Sequence, residues 1–199
     1  MKRTLLLSLC LVLCFLMAAA WHYPNPTDNL PLKLKNHARS LLAYAKQHGY
    51  NTQTCFLIDM SIEPGKKRFF VYDLKKDSVI DSGLVSHGAC RSQGLVVRQY
   101  GNSMGCGCTS LGKYKIGTAY KGKYGLAYKL HGLDATNSNA LKRLIVMHAH
   151  YCVPDEEVSP EPICQSDGCP MVSESMLKKL AIIIDQSKQP VLMSIFDQN

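Results

Sequence analysis

Two short stretches decide how this chain folds: L-I-V-M-H-A-H-Y at residues 144–151 and S-D-G-C-P-M-V-S at residues 166–173. The first opens with four apolar residues typical of a buried strand over 144–147, and it delivers His148 and His150 at the strand's end. The second places Cys169 in a glycine turn just before a predicted helix. A free thiol has a pKa of about 8.5 and needs a base to become a nucleophile at neutral pH. The two stretches together therefore predict a cysteine–histidine pair.

The segments around these stretches predict one domain of short strands and a few helices. A first helix is predicted from Asp28 to Gly49 by apolar residues at helical spacing, and we expect it to pack on the sheet. A second helix is predicted after Ser173, whose hydroxyl suits an N-cap. Short, closely spaced strands favour an antiparallel sheet over βαβ units, and so an α+β, β-rich fold. The predicted strands are residues 55–60, 68–74, 78–86, 126–133, 144–147 and 190–196.

The segments between the strands carry weaker signals. Residues 87–118 are rich in glycine, serine and cysteine, which predicts long ordered loops of the kind that line sites on a β scaffold. Residues 120–125 predict a turn, and residues 134–143 predict a short helix.

The first twenty residues differ in kind from the rest. Lys2 and Arg3 precede an apolar run over 5–17, and three alanines end it, which is the pattern of a secretory signal cleaved after about Ala20. A retained membrane anchor is the alternative, but the run is short for a span, which needs roughly 20 residues. We therefore predict a signal peptide at 1–20, a leader and helix at 21–51, a catalytic domain at 52–199, and a location in the periplasm or cell envelope.

Export would permit disulfides. Removing the signal leaves seven cysteines, and an odd number leaves at least one thiol unpaired. We expect Cys169 to be unpaired and Cys152 to pair with Cys164 across the proline- and acid-rich loop 153–163. Cys106 and Cys108 are one residue too close for a C-x-x-C motif, so structural disulfides are the better interpretation of them.

Composition and charge limit the partners. A hydrophobic content of 46% and a charged content of 19% are those of an ordinary globular protein. Without Lys2 and Arg3 the net charge is +6, which gives a basic surface and allows attraction to anionic envelope polymers. No basic run is interleaved with aromatic residues, so we expect no nucleic-acid partner. We expect no cofactor, no metal and a monomeric chain.

The two stretches resemble the catalytic signature of L,D-transpeptidases, in the branch described as the murein L,D-transpeptidase catalytic-domain family of YkuD-like proteins. The resemblance covers most of residues 52–196 and implies an L,D-transpeptidase-like antiparallel β-sandwich or barrel, with an N-terminal helix and a helix after the cysteine. Other matching pieces are V-S-H-G at 85–88, G-N-S at 101–103, T-S-L-G-K-Y at 109–114, Y-K-G-K-Y-G at 120–125 and K-L-H-G-L-D at 129–134.

The resemblance also implies roles for individual residues. Cys169 would be the nucleophile and His148 its base, with the backbone carbonyl of Ala149 steadying the imidazole. The amides of Gly168 and Cys169 would hold the oxyanion. In the family reaction the thiolate attacks a diamino-acid carbonyl in a peptidoglycan stem tetrapeptide and releases D-alanine. An amine of a second stem, or water, then resolves the acyl-enzyme, and carbapenems are expected to acylate the same thiol.

The substrate side departs from the commoner pattern. Many relatives carry S-H-G-C followed closely by arginine or asparagine, whereas here Asp167 replaces the histidine and no arginine follows Cys169. An anionic Asp167 would oppose thiolate formation unless a cation pairs with it. A different arginine would have to bind the substrate carboxylate, and the candidates are Arg91, Arg98 and Arg143.

The remaining candidate substrate-binding residues flank the pair. Ser166 and Asp167 precede the thiol, and Tyr151 follows the histidines. His150 shares a strand face with His148 and competes with it as the base. His87 is a candidate for lining the site, although a packed or surface histidine is the plainer interpretation of it.

Two other classes of function stay open. One is a catalytically lapsed, disulfide-stapled envelope-binding protein of the same fold, in which Cys169 would itself be disulfide-bonded. The other is an exported zinc protein with cysteine and histidine ligands, which the irregular spacings disfavour.

Overall fold

The computed structural model describes residues 29–91 and 99–197. Contacts divide the chain into two units, one ending at Leu34 and one comprising Lys35–Asn199. The described part of the first unit is only the start of the first helix. The whole sheet belongs to the second unit. The predicted signal peptide and the extended leader before residue 29 lie outside the described residues.

The described residues contain two α-helices, eight strands and one short 3-10 helix at Ala135–Asn137. The helices are α1 (Leu30–His48) and α2 (Glu174–Gln186). The strands are β1 (Thr54–Asp59), β2 (Phe69–Asp73), β3 (Ser78–Gly83), β4 (Gly112–Gly122), β5 (Gly125–Gly132), β6 (Val146–Ala149), β7 (Met171–Val172) and β8 (Leu192–Phe196). Over the described ranges, no helix combines the length and the apolar character needed to cross a membrane.

The eight strands form one sheet in the order β3-β2-β1-β8-β4-β5-β6-β7. This confirms the α+β, β-rich prediction. Most neighbours are antiparallel as expected, but β1 pairs with β8 and β6 with β7 in parallel. A parallel pair needs a crossover connection of about a dozen residues or more, and residues 150–170 supply one between β6 and β7. The sheet is therefore mixed, and one of its parallel pairs lies beside the predicted site.

Strand β4 is the main element that the sequence analysis missed. It covers residues interpreted there as the end of a loop and a turn, because its glycines and lysines are poor strand formers. Tertiary contacts decide the outcome: β4 pairs with both β5 and β8, and Tyr114 and Ile116 are buried in the core. Only residues 123 and 124 are left as the turn between β4 and β5.

Two other predicted elements differ in extent. The helix expected over 134–143 is reduced to the 3-10 turn Ala135–Asn137, followed by further turns. The strand expected to begin at Leu144 begins at Val146, because Leu144 has a φ of +59° and a largely exposed side chain. This shift moves His148 from just beyond the strand into it.

The two helices cover the sheet through apolar and aromatic contacts. The Ser173 hydroxyl accepts a hydrogen bond from the Met176 amide at 3.2 Å, which confirms the predicted N-cap of α2. Helix α2 buries Met176, Leu177 and Leu180 in the main core. In α1, the His37 ring stacks on Phe196 of β8 at a centroid distance of 3.5 Å. Helix α2 thus fixes the segment that leads out of the Cys169 turn.

Candidate active site

The cysteines separate into paired and unpaired groups. Cys152 pairs with Cys164, as predicted, and Cys90 pairs with Cys108. Cys169 is free, as expected. Cys106 is also free, so the prediction of a structural disulfide holds for Cys108 and is wrong for Cys106. Cys55 is the third free cysteine among the described residues. Cys55 is buried in β1, and burial raises the pKa of its thiol to about 12. Of the three free cysteines, Cys169 is the one that contacts β6, the strand that carries His148.

The parallel pairing of β6 with β7 brings the predicted nucleophile and base together. His148 pairs with Met171, two residues after the cysteine. The Sγ of Cys169 lies 3.4 Å from the amide nitrogen of Val146, which donates to it, and 3.9 Å from the carbonyl oxygen of Leu144. Val146 and His148 are two positions apart on one strand, roughly 7 Å, and their side chains share a face. The thiol therefore contacts β6 at a residue two positions before His148.

The imidazole of His148 is buried, with only 6% of its surface exposed, and is fixed by the backbone. Its Nδ1 lies 2.9 Å from the Ala149 carbonyl oxygen, as the family resemblance implies. A carbonyl can only accept, so Nδ1 carries the proton and Nε2 keeps the lone pair that a base needs. Burial lowers the pKa of His148; the Ala149 carbonyl partly offsets this, and the nearby His150 lowers it further. The ring is therefore neutral at physiological pH.

Opposing effects act on the pKa of the Cys169 thiol, and their net result is a raised pKa. Burial is the main cause that raises its pKa above the ordinary thiol value, and the negative charge of Asp167 raises it further. The Val146 amide and the positive charge of Arg143 act in the opposite direction. With a neutral histidine and a raised thiol pKa, the resting pair is a thiol and an imidazole. Among the described residues these two groups are not hydrogen-bonded to each other, which is common in substrate-free sites.

Two serine hydroxyls hold the backbone of the nucleophile. The Ser166 hydroxyl donates to the Cys169 carbonyl at 2.6 Å and accepts from the Gly168 amide at 3.1 Å. The Ser86 hydroxyl donates to the same carbonyl at 3.3 Å and accepts from the Met171 amide at 3.0 Å. The amide of Cys169 makes no hydrogen bond within the described part of the chain. Of the two predicted oxyanion amides, that of Gly168 is engaged and that of Cys169 is available.

His87 lies in the interior and not on an open surface. Its Nδ1 is 3.1 Å from Nη2 of the fully buried Arg68, and its Nε2 is 3.2 Å from the Gln165 side-chain amide. A guanidinium can only donate, so Nδ1 of His87 is the acceptor in its contact with Arg68. His87 therefore packs beneath the segment that precedes Ser166, as the plainer interpretation expects.

His150 and Tyr151 lie at the end of β6, on the side of the disulfide. Nδ1 of His150 is 2.7 Å from the Sγ of Cys152, and the ligand atoms of His150, Cys152 and Cys164 all lie within 4.8 Å of one another. The two sulfurs are joined in a disulfide and offer no thiolate to a metal. Tyr151 is 95% exposed, with its ring centroid 4.5 Å from that of His150.

The arginines proposed for carboxylate binding have other partners or lie elsewhere. Arg143 donates to the carbonyls of Gly101 at 2.9 Å and Cys108 at 2.5 Å, and to the Ser110 hydroxyl at 2.5 Å. It therefore ties the loop before β4 to the segment that leads into β6, and it acts on Cys169 through its charge. Arg91 lies beside Gly105, and Arg98 lies outside the described residues.

One residue of the site was not predicted from the sequence. Tyr124, at the tip of the β4–β5 hairpin, stacks on His148 with ring centroids 5.1 Å apart and planes at 12°. Its edge-to-face contact with His150 spans 4.9 Å. Tyr124 also lines a groove of about 430 Å³ together with Leu126, His150, Tyr151 and Leu177. The motif Y-K-G-K-Y-G contains Tyr124, but a tyrosine in a turn gave no sign of which ring it would meet.

A β-rich domain that holds a free, half-buried thiol beside a strand-borne histidine defines a candidate thiol active site. The sequence matches the family described as the L,D-transpeptidase catalytic domain over residues 28–193, so the chain belongs to that family. The resemblance drawn from the sequence is thereby confirmed. No curated protein sequence matches the chain.

Several solved structures are similar to this chain at low identity. The helical cell shape determining protein Pgp2 from Campylobacter jejuni is 14% identical, with a TM-score of 0.47, over 73% of this chain and 48% of that one. An L,D-transpeptidase from Xylanimonas cellulosilytica DSM 15894 is 12% identical, with a TM-score of 0.41, over 77% and 68% of the two chains. The avibactam carbamoyl enzyme of Ldtfm is 12% identical, with a TM-score of 0.44, over 74% and 50%. The chain thus spans about half of the Campylobacter protein.

Proposed function

We propose that this chain is an exported peptidoglycan-modifying L,D-transpeptidase that works through an acyl-enzyme on Cys169. Family membership supports the reaction class. The observation that carries the assignment of the nucleophile is the position of its free Sγ, 3.4 Å from the amide nitrogen of Val146, which precedes His148 by two residues on β6.

In the proposed acylation step, Nε2 of His148 takes the Sγ proton as the sulfur attacks the carbonyl that precedes the terminal D-alanine of a stem tetrapeptide. The Cys169 amide, which has no partner in the described residues, would stabilise the oxyanion. The imidazolium then protonates the leaving amine, and a thioester remains. In transpeptidation the amine of a second stem attacks the thioester and restores the thiol. In the carboxypeptidase reaction water does so.

The decisive experiment is digestion of muropeptides with the purified chain and with its Cys169→Ala variant. The wild-type chain should release D-alanine and give either cross-linked dimers or shortened stems, and the Cys169→Ala variant should give neither. Cys106→Ala removes another free thiol and serves as the matched control, which should stay active. Activity that survives in Cys169→Ala would refute the assignment. A wild-type chain without activity, and without a covalent carbapenem adduct on Cys169, would favour the lapsed envelope-binding protein.

Export is a separate part of the proposal and has its own test. The charged start, the apolar run and the three alanines at 18–20 support cleavage by a signal peptidase. Intact mass measurement of chain recovered from the cell envelope should give a mature N-terminus at about Trp21. Recovery of a chain that keeps Met1 in the cytosolic fraction would contradict export.

A further inference from the structure

The contact between Tyr124 and His148 joins two parts of the chain that are 24 residues apart. Their nearly parallel rings, at 12° and 5.1 Å, have the geometry of an offset stack. About half of the Tyr124 side chain is exposed, while His148 is buried. The tyrosine therefore forms the outer wall over an imidazole whose inner side is packed.

The hairpin aims this tyrosine at the histidine by its register. Strand β5 pairs with β6 so that Ala127 lies opposite His148, and Tyr124 is three residues before Ala127, beyond the end of the ladder. Gly125 has a φ of +86°, and a Cβ there would meet nothing within 4 Å. Glycine is favoured at this position by the backbone conformation and not by a close contact. The turn conformation at Gly125 and the β5–β6 register thus bring the ring back over the strand end.

A histidine that acts as a base must keep the orientation of its ring as well as its position. The bond from Nδ1 of His148 to the Ala149 carbonyl fixes one point of the ring. Rotation about the Cβ–Cγ bond would break that bond and put a ring carbon in the place of each nitrogen, Cδ2 for Nδ1 and Cε1 for Nε2. A parallel aromatic face restricts this rotation, because a turned imidazole would strike the tyrosine ring.

We propose that Tyr124 is a positioning residue for His148: its ring holds the imidazole in the orientation that bonds Ala149 and leaves Nε2 as the base. The proposal deepens the proposed function and rests on it for the role of His148. Tyr124 also lines the 430 Å³ groove, so a substrate in that groove would meet the same ring that positions the base. A residue that served only as groove wall would change substrate affinity and leave the chemical step intact.

Three variants test the proposal. Tyr124→Ala should lower the limiting rate of Cys169 acylation roughly threefold to tenfold, the range expected for loss of one aromatic pair. Tyr124→Phe keeps the ring and should restore the rate to within about twofold of the wild type, since the phenolic oxygen has no part in the stack. Tyr120→Ala is the control and should leave the rate unchanged, because it removes an exposed tyrosine of the same hairpin whose ring contacts Lys129. Thermal melting of all three checks that the fold is kept.

A spectroscopic readout separates positioning from catalysis. Nitrogen-15 spectra of the His148 ring at neutral pH should show one tautomer, protonated at Nδ1, in the wild type and in Tyr124→Phe. Tyr124→Ala should show averaged or mixed tautomers. An unchanged acylation rate with an unchanged tautomer in Tyr124→Ala would overturn the proposal, as would a change confined to KM. If the wild type proves inactive on stem peptides, the proposed function fails and the tautomer alone decides the positioning role.

Discussion

The Ser166 hydroxyl lies 2.6 Å from the carbonyl oxygen of Cys169, so the residue that begins the cysteine turn also locks the residue that ends it. The Ser166 hydroxyl also accepts a hydrogen bond from the amide of Gly168, so this one hydroxyl contacts two residues of the turn. Ser86 reaches the same carbonyl from the segment that precedes His87. The nucleophile is thus held by its backbone while its sulfur stays free.

Ser166→Ala should lower both the stability of the turn and the rate of acylation. Removing the hydroxyl leaves the Gly168 amide without this acceptor, and a lost hydrogen bond costs about 1 kcal/mol in the free energy of unfolding. We expect carbapenem acylation of Cys169, followed by intact mass, to slow several-fold. Ser175→Ala, at an exposed position on α2 where the hydroxyl bonds Asp155, is the matched control. Equal acylation rates in the two variants would show that the lock is not needed.

The charges around Cys169 predict two opposite shifts in its reactivity. The Asp167 carboxylate raises the pKa of the thiol and the Arg143 guanidinium lowers it, while burial remains the larger cause. Asp167→Asn should therefore lower the thiol pKa and speed alkylation by iodoacetamide at neutral pH, and Arg143→Met should slow it. Because Asp167 is exposed, its effect should shrink in about 1 M salt.

Alkylation is best measured as a pH profile in a Cys106→Ser background, since Cys55 is buried and inert. The rate in the parent chain should rise with pH through a value above about 8.5, the ordinary thiol pKa. Arg143→Lys keeps the charge and should lie between the parent and Arg143→Met. If the pH profile of the alkylation rate is the same in Asp167→Asn, the charge of Asp167 does not control the reactivity of Cys169.

The pH dependence of acylation should report His148. Burial favours the neutral ring, so its proton binds only at a pH below the ordinary histidine value of about 6.5. The proposed base stays active in the neutral form, so kcat/KM should fall only as pH drops below that value. His150→Gln removes a charge that lowers the pKa of His148, and the acid limb should move to higher pH. If the acid limb of kcat/KM does not move in His150→Gln, the charge of His150 does not lower the pKa of His148.

The local patterns of the sequence predicted much of this site. Three features could be predicted because each depends on residues close together in the sequence. They are the N-cap at Ser173, the free thiol at Cys169 and the Cys152–Cys164 bridge. Strand β4 was missed because its pairing with β5 and β8 outweighs its poor strand propensity. Tyr124 was missed for a related reason: its contact with His148 is set by hairpin register, which no single segment encodes.

The bridge between Cys152 and Cys164 should stabilise the connection that makes β6 and β7 parallel. Its loop packs Val153 and Ile163 in a small core with Leu84 and Met171, next to β7. Closing a loop of this size stabilises a fold by about 2–4 kcal/mol. The double variant Cys152→Ser/Cys164→Ser should lose about that much in urea unfolding, and Cys106→Ser should lose little. Equal midpoints for the two would show that the small core holds the loop without the bridge.

Gly168 carries the strictest steric requirement in the turn, because its φ is +109° and a Cβ there would lie 2.5 Å from the Cys108 carbonyl oxygen. That carbonyl is itself fixed by Arg143, so it cannot retreat without breaking a 2.5 Å hydrogen bond. Gly168→Ala should therefore displace the turn, abolish acylation and lower the melting temperature by several degrees. Gly49→Ala is the control: Gly49 also has a positive φ, +72°, but a Cβ there would meet nothing within 4 Å, so this substitution should cost only about 1 kcal/mol. If Gly168→Ala melts like Gly49→Ala and still acylates, the contact between the cysteine turn and the Cys108 loop does not hold the nucleophile in place.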